Sequence, residues 1–121
     1  MELYREGRYA EAEEAARACL AIREKALGPD HPVVAISVNN VAGLLRSQGD
    51  YPGARQLYER GLAINEKALG PDHPDVATSL NNLALLLQQQ GEYPGARPLY
   101  ERSLAIRERA LGLEHRFTTS A

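Results

Sequence analysis

The chain contains no tryptophan, one phenylalanine, one methionine and one cysteine. A single thiol excludes an internal disulfide, and Cys19, set among Ala15, Ala16 and Ala18, reads as a small packing residue of a helix. Long apolar runs are missing as well. A membrane-spanning helix needs about 18 or more consecutive apolar residues, and the longest run here is the short Leu83 to Leu87 segment. The opening Met1-Glu2-Leu3-Tyr4-Arg5-Glu6 has neither the basic start nor the apolar core of a signal peptide, so a cytoplasmic setting is expected. Charge of one sign is not in excess: 14 basic and 16 acidic residues are interspersed along 121 positions. No basic stripe exists to gather a phosphate backbone, so neither nucleic acid nor membrane is expected as a partner.

Signatures of catalysis are also lacking. There is no Gly-Lys-Ser/Thr phosphate loop, no Gly-x-Ser-x-Gly elbow and no His-Glu-x-x-His helix. The acidic pairs Glu13-Glu14 and Asp72/Asp75 lie in charge-balanced segments and read as solvated surface. His31, His73 and His115 recur at equivalent positions, which two packed helices at about 8 to 10 Å per contact hold apart. Zinc holds nitrogen ligands about 2 Å away, so these histidines belong to linkers and not to a metal centre. No catalytic residue, cofactor or metal ion is therefore expected.

What the sequence has in abundance is repetition. Gly28-Pro29-Asp30-His31-Pro32 returns as Gly70-Pro71-Asp72-His73-Pro74, and residues 28–69 and 70–111 agree at 30 of 42 positions. Residues 7–27 match the second half of this unit, and residues 112–121 begin another that decays at Arg116 and Phe117. The expected organisation is one array: a half unit (7–27), two full units (28–69 and 70–111) and a degenerate tail (112–121).

Within a unit the apolar positions have the period of a helix. Val76, Leu80, Leu83, Ala84, Leu86 and Leu87 cover one face, with Thr78, Asn81, Asn82, Gln88 and Gln89 opposite. A second stripe follows through Ala96, Leu99, Tyr100, Leu104, Ala110 and Leu111. Tyr58 and Tyr100 fall on such stripes and read as core, not as stacking platforms. Gly49-Asp50 and Gly91-Glu92 supply turns short enough to fold each helix back on the last. Gly70 ends the second helix, Pro71 blocks its continuation and Pro74 suits a first helical position. The pattern predicts an all-α chain with five main helices near 8–27, 33–48, 51–69, 75–90 and 93–111. Pro98 lies past the first turn of the last helix, where proline costs roughly 3 kcal/mol, so a distorted or late start is expected there. Pro52 and Pro94 fall in first turns and are tolerated.

Ala84, the Gly91-Glu92-Tyr93 turn, Ala96, Tyr100 and Ser103, with Ala42, Gly49, Tyr51, Ala54, Tyr58 and Gly61 before them, resemble the tetratricopeptide repeat (TPR). The 42-residue spacing exceeds the usual 34 and is similar to the kinesin light chain type. The resemblance covers residues 7–112 and implies a TPR-type helical-hairpin solenoid, a right-handed superhelix whose first helices line a concave groove that binds peptides or protein segments.

The residues themselves point to where a ligand would lie. Asparagine is a mediocre helix former, yet Asn39-Asn40 and Asn81-Asn82 sit in mid-helix in both units. An amide donates to and accepts from a peptide backbone at once, although one asparagine of each pair has the alternative of bonding a neighbouring helix. Ile36, Asn39, Gly43 and Arg46 share a stripe, as do Thr78, Asn81, Leu85 and Gln88, with Asn40, Asn82 and Gln89 along the margin. The expected peptide-binding residues are thus Asn39, Asn40, Arg46, Thr78, Asn81, Asn82, Gln88 and Gln89, with Arg46 favouring an acidic or C-terminal peptide. The function expected is that of a non-catalytic protein-binding scaffold. The alternatives are a self-association module, a homo-oligomer joined through exposed terminal repeats, and the regulatory arm of a larger signalling protein.

Overall fold

The computed structural model describes the backbone of residues 2–119 and the side chains of residues 7–112. Five helices follow one another: α1 (Glu2–Leu27), α2 (Pro32–Ser47), α3 (Tyr51–Leu69), α4 (Pro74–Gln89) and α5 (Tyr93–Thr119). Each of the three middle helices lies within one residue of the bounds that periodicity predicts. No strand occurs among the described residues.

The turns explain why consecutive helices are antiparallel. At the end of α2, Gly49 takes φ 85°, and the Asp50 amide donates to the Leu45 carbonyl at 2.8 Å, closing the helix. The Asp50 carboxylate then accepts from the Gly53 amide at 3.1 Å and caps α3. One residue thus ends one helix and starts the next. Between hairpins the histidines do comparable work. His31 Nδ1 accepts from the Val33 amide at 3.1 Å, and His73 Nδ1 accepts from the Asp75 amide at 3.0 Å. These N-caps sit directly before Pro32 and Pro74, whose fixed φ suits the first helical turn. The linker role expected of His31 and His73 is therefore a specific one, which glycine-proline punctuation alone does not reveal; His115, expected in a linker as well, falls within α5 instead, and its side chain lies outside the described residues.

Two sequence expectations fail in α5. The helix starts at Tyr93 and passes through Pro98, so the late start is not observed. Buried Ala96 and half-buried Leu99 hold the segment against α4, while Pro94 and Pro98 face solvent. Water can there satisfy the Pro94 carbonyl that loses its donor, and packing outweighs the local cost of proline. The helix also continues past 111 to Thr119. Gly70, followed by Pro71, takes φ 92° and breaks α3, whereas Gly112, followed by Leu113, keeps a helical conformation. Without the proline nothing stops the helix.

Core residues of α2, α3 and α4 form one cluster. Val38, Val41, Ala42 and Leu45 of α2 meet Ala54, Tyr58 and Ile64 of α3 and Leu83 and Leu86 of α4. Val76, Ala77 and Leu80 of α4 pack with Ile106 of α5. The second helices form a row of their own, bridged by Glu24 to Arg60 at 2.6 Å and by Glu66 to Arg102 at 3.1 Å. Linker acids tie in from the side, Asp30 to Lys67 and Asp72 to Arg109. The linker pairs are exposed and the other two half-buried, each worth little singly, but each recurs at a 42-residue shift and so fixes the register of stacking. Inter-hairpin hydrogen bonds repeat likewise: Arg23 donates to Ser37 Oγ at 2.8 Å and Asn65 Nδ2 to Ser79 Oγ at 3.0 Å.

Cys19 departs from its expected packing role, because its residue is exposed. It occupies the position of Gly61 in α3 and Ser103 in α5, both buried against the first helix of their own hairpins. No described helix lies on that face of α1.

Candidate protein-binding face

The first helices α2 and α4 leave one face free of the core. On α2 it runs through Ile36, Asn40, Gly43 and Ser47, and on α4 through the equivalent Thr78, Asn82, Leu85 and Gln89. Spacings of three and four residues put each set on a single stripe. Ile36 is 57% exposed and Leu85 37% exposed, so the face mixes apolar contacts with amides.

The eight sequence-predicted residues divide between this face and its flank. Asn40, Asn82, Thr78 and Gln89 lie on the open stripe; Thr78 also donates back to the Pro74 carbonyl at 3.4 Å. Asn39, Arg46 and Gln88 turn toward the second helices; Asn81 holds the position equivalent to Asn39 and is half-buried, as is Asn82. Asn39 is half-buried, and its Oδ1 is fully buried without a hydrogen-bond partner. It lies so close to Gly61 that a Cβ there would come within 2.5 Å. Asn39 thus belongs to the α2–α3 joint and not to the open face, because Gly61 leaves just the space its amide fills. Neither α2 asparagine bonds to a neighbouring helix. Gln88 accepts from the Tyr100 hydroxyl at 2.9 Å, so it serves the α4–α5 joint while remaining exposed. Arg46 lies near Tyr58, whose phenol is raised above its ordinary value by burial, with Arg46 opposing that shift. On α2 the sequence stripe therefore tilts by one position in the structure, from Asn39 to Asn40.

A second open feature lies at the far end of the stack. Tyr93, Ala96 and Tyr100, with Gln88, Arg97 and Glu101, line a cleft of about 320 Å³. The equivalent Tyr51, Ala54 and Tyr58 belong to the core cluster that Leu83 and Leu86 of α4 complete. Arg55, the equivalent of Arg97, pairs across that joint with Glu92 at 3.2 Å. This inter-hairpin socket is invisible in the sequence because the residues of a filled and an open socket are the same.

Among the described residues no group of three or more His, Cys, Asp or Glu side chains is placed to hold a metal, and no helix is long and apolar enough to cross a membrane.

Paired helices stacked in a 42-residue register define a helical-repeat protein. The chain belongs to the tetratricopeptide repeat family, whose pattern matches residues 3–67 and 34–109, and its repeats are of the kinesin light chain type. It is similar to BtubC (BKLC) from P. vanneervenii, with 27% identity and a TM-score of 0.80 over 85% of this chain and 41% of that one. It is also similar to a kinesin light chain candidate from Podosopora anserina with nearly identical TPR-like repeats, with 30% identity and a TM-score of 0.78 over 88% of this chain and 50% of that one. A singly substituted variant of the latter gives 29% identity and the same TM-score. The chain thus spans half or less of the length of these proteins. No curated protein matches it. TPR repeats generally mediate protein–protein interaction, and the fold is generally a non-catalytic scaffold.

Proposed function

We propose that the α2–α4 face binds an extended segment of another protein, with the cytoplasm as its setting, where a lone exposed thiol such as Cys19 persists reduced. The observation that carries this reading is the row of side chains which the packing of the stack does not use: exposed Ile36, Asn40 and Ser47 beside exposed Thr78, Leu85 and Gln89 and half-buried Asn82. Mid-helix asparagines repeated on such a row offer paired donors and acceptors to a peptide backbone. A backbone hydrogen bond is worth about 0.5 to 1.5 kcal/mol net, so Asn40→Ala with Asn82→Ala should weaken selected peptides about fivefold or more without unfolding the stack. Selection from a display library of random linear peptides, followed by calorimetric titration of both proteins, measures this. Peptides that bind the variant as tightly as the wild type would refute the groove. In a longer protein such a groove serves as the recognition arm.

Self-association through the end of the stack is the second reading. Leu20 and Leu62 are buried and half-buried, whereas the equivalent Leu104 is 57% exposed, beside the Tyr93–Tyr100 cleft. Multi-angle light scattering across a concentration series should show association that Leu104→Glu removes. A strict monomer at high concentration would dispose of it.

A further inference from the structure

The two full repeats differ at 12 of 42 positions, the complement of their 30 identities. Core differences are small, Val38 against Leu80, Val41 against Leu83 and Gly61 against Ser103. Five differences lie on or beside the open face: 33/75, 36/78, 43/85, 46/88 and 47/89. Two of them change the chemistry around one tyrosine. Where α4 has Leu85 and Gln88, α2 has Gly43 and Arg46.

At Gly43 the helix has no side chain, and a Cβ there would meet within 4 Å only the Tyr58 hydroxyl, 3.7 Å away. The missing side chain leaves a notch in the face with that hydroxyl beneath it. In the other hairpin the Tyr100 hydroxyl is satisfied by Gln88 Oε1 at 2.9 Å. Arg46, in the place of Gln88, has donors only and cannot accept from Tyr58. Nor does its guanidinium donate to the phenol oxygen, and the Tyr58 hydroxyl makes no hydrogen bond among the described residues. Five arginines are half-buried among the described residues, and four are engaged: Arg23 with Ser37, Arg55 with Glu59 and Glu92, Arg60 with Glu24, and Arg102 with Glu66. Arg46 alone has neither an ion-pair nor a hydrogen-bond partner among the described residues. Arg46 lies one helical turn from Gly43 on the same face of α2, at the position from which Gln88 reaches the Tyr100 hydroxyl in the other hairpin. A phenol and a guanidinium beside one notch, both with donors to spare and no acceptor, suit a carboxylate.

We propose that Gly43, Tyr58 and Arg46 form a subsite for one acidic side chain of a protein segment bound in the groove, with Tyr58 Oη and the Arg46 guanidinium donating to its carboxylate. This rests on the groove reading above. The open stripe continues on both sides of the notch, to Asn40 and to Ser47. The bound chain therefore runs past it, and the carboxylate comes from a side chain and not from a C-terminus.

The test uses the intact chain and peptides selected from a random linear display library. The Gly43→Leu/Arg46→Gln variant carries residues that α4 already bears at those positions, so its fold is maintained. Wild-type peptides should share an acidic residue at one register, and changing it to its amide should weaken binding about tenfold. That difference should shrink in Tyr58→Phe and vanish in the swapped variant. C-terminal amidation of the peptide should change nothing. The reciprocal Leu85→Gly/Gln88→Arg variant should gain preference for a second acidic residue. If no acidic residue is selected, or its amide costs as much in the swapped variant, the subsite is wrong. The groove itself still stands in that case if Asn40→Ala/Asn82→Ala weakens binding. Loss of binding on amidation would instead place a C-terminus in the notch and overturn the side-chain assignment. If no peptide is selected at all, groove and subsite fall together.

Discussion

Single residues in this stack are decided by what faces them across the joint. Asn39 has a buried carbonyl oxygen with no partner, and Gly61 is the residue that makes room for it. An unsatisfied buried acceptor costs about 1 to 3 kcal/mol, and alanine is the better helix former by several tenths. Asn39→Ala is therefore expected to stabilise the chain by about 1 kcal/mol, read as a higher urea midpoint at unchanged slope. Gly61→Ala should destabilise in the parent but stabilise when combined with Asn39→Ala, since the clash is removed and helix propensity remains. A double-mutant cycle without that change of sign would reject the fit. Tyr58 supplies a pH prediction. Burial raises its phenol above the ordinary value near 10, with Arg46 in opposition. As pH rises past the unfolded value, the unfolded chain releases a proton that the folded chain retains, so stability falls from there toward the folded value. Tyr58→Phe should flatten this alkaline loss in urea titrations at stepped pH. Lys67, raised by its bond to Asp30, loses its contribution in the same window, but it is fully exposed and present in both proteins.

At the scale of helices, punctuation and periodicity make the architecture legible from residue order alone. The three middle helices fall within a residue of expectation because Gly-Pro linkers and Gly-Asp/Glu turns are local signals. Pro98 misleads because its penalty is local whereas its compensation comes from α4 packing on Ala96 and Leu99. The candidate site is half legible. Its helices and its asparagine pairs can be named, but which asparagine of a pair opens to solvent depends on the tilt of α2 against α3. That tilt is set by Gly61 on another helix, and helical periodicity carries no record of it. The notch is hidden for the same reason, since it needs Tyr58 of α3 beneath Gly43 of α2. Proline's cost remains even where packing overrides it. Pro98→Gln, which installs the residue found at position 56, should raise stability by up to about 3 kcal/mol. An unchanged urea midpoint would mean that solvent fully satisfies the Pro94 carbonyl.

For the molecule as a whole, the 42-residue recurrence of salt bridges and of the Arg23/Asn65 hydrogen bonds makes each joint a near copy of the last. Stability in such stacks is approximately a sum of repeat terms and nearest-neighbour terms. Appending a second copy of residues 70–111 after residue 111 would fill the cleft at Tyr93, Ala96 and Tyr100 with the leucines that fill its counterpart at Tyr51, Ala54 and Tyr58. It would also half-bury Leu104, now 57% exposed, as its counterpart Leu62 is, for a part of the roughly 1.5 to 3 kcal/mol that full burial of a large apolar side chain contributes. The extended chain should therefore show both a higher urea midpoint and a steeper slope, since more surface is exposed on unfolding. Its new end, however, presents the same leucine and tyrosines again, so association driven by that face should persist undiminished. Leu104→Glu in the original chain and the equivalent change in the last copy of the extended one should each abolish it, while Leu104→Glu in the inner copy should cost stability instead. Light scattering alongside urea unfolding separates the two outcomes. Association that disappeared on simple extension would show that it depends on the continuation of α5 beyond residue 111, which the added repeat replaces, and not on the end face of the repeat.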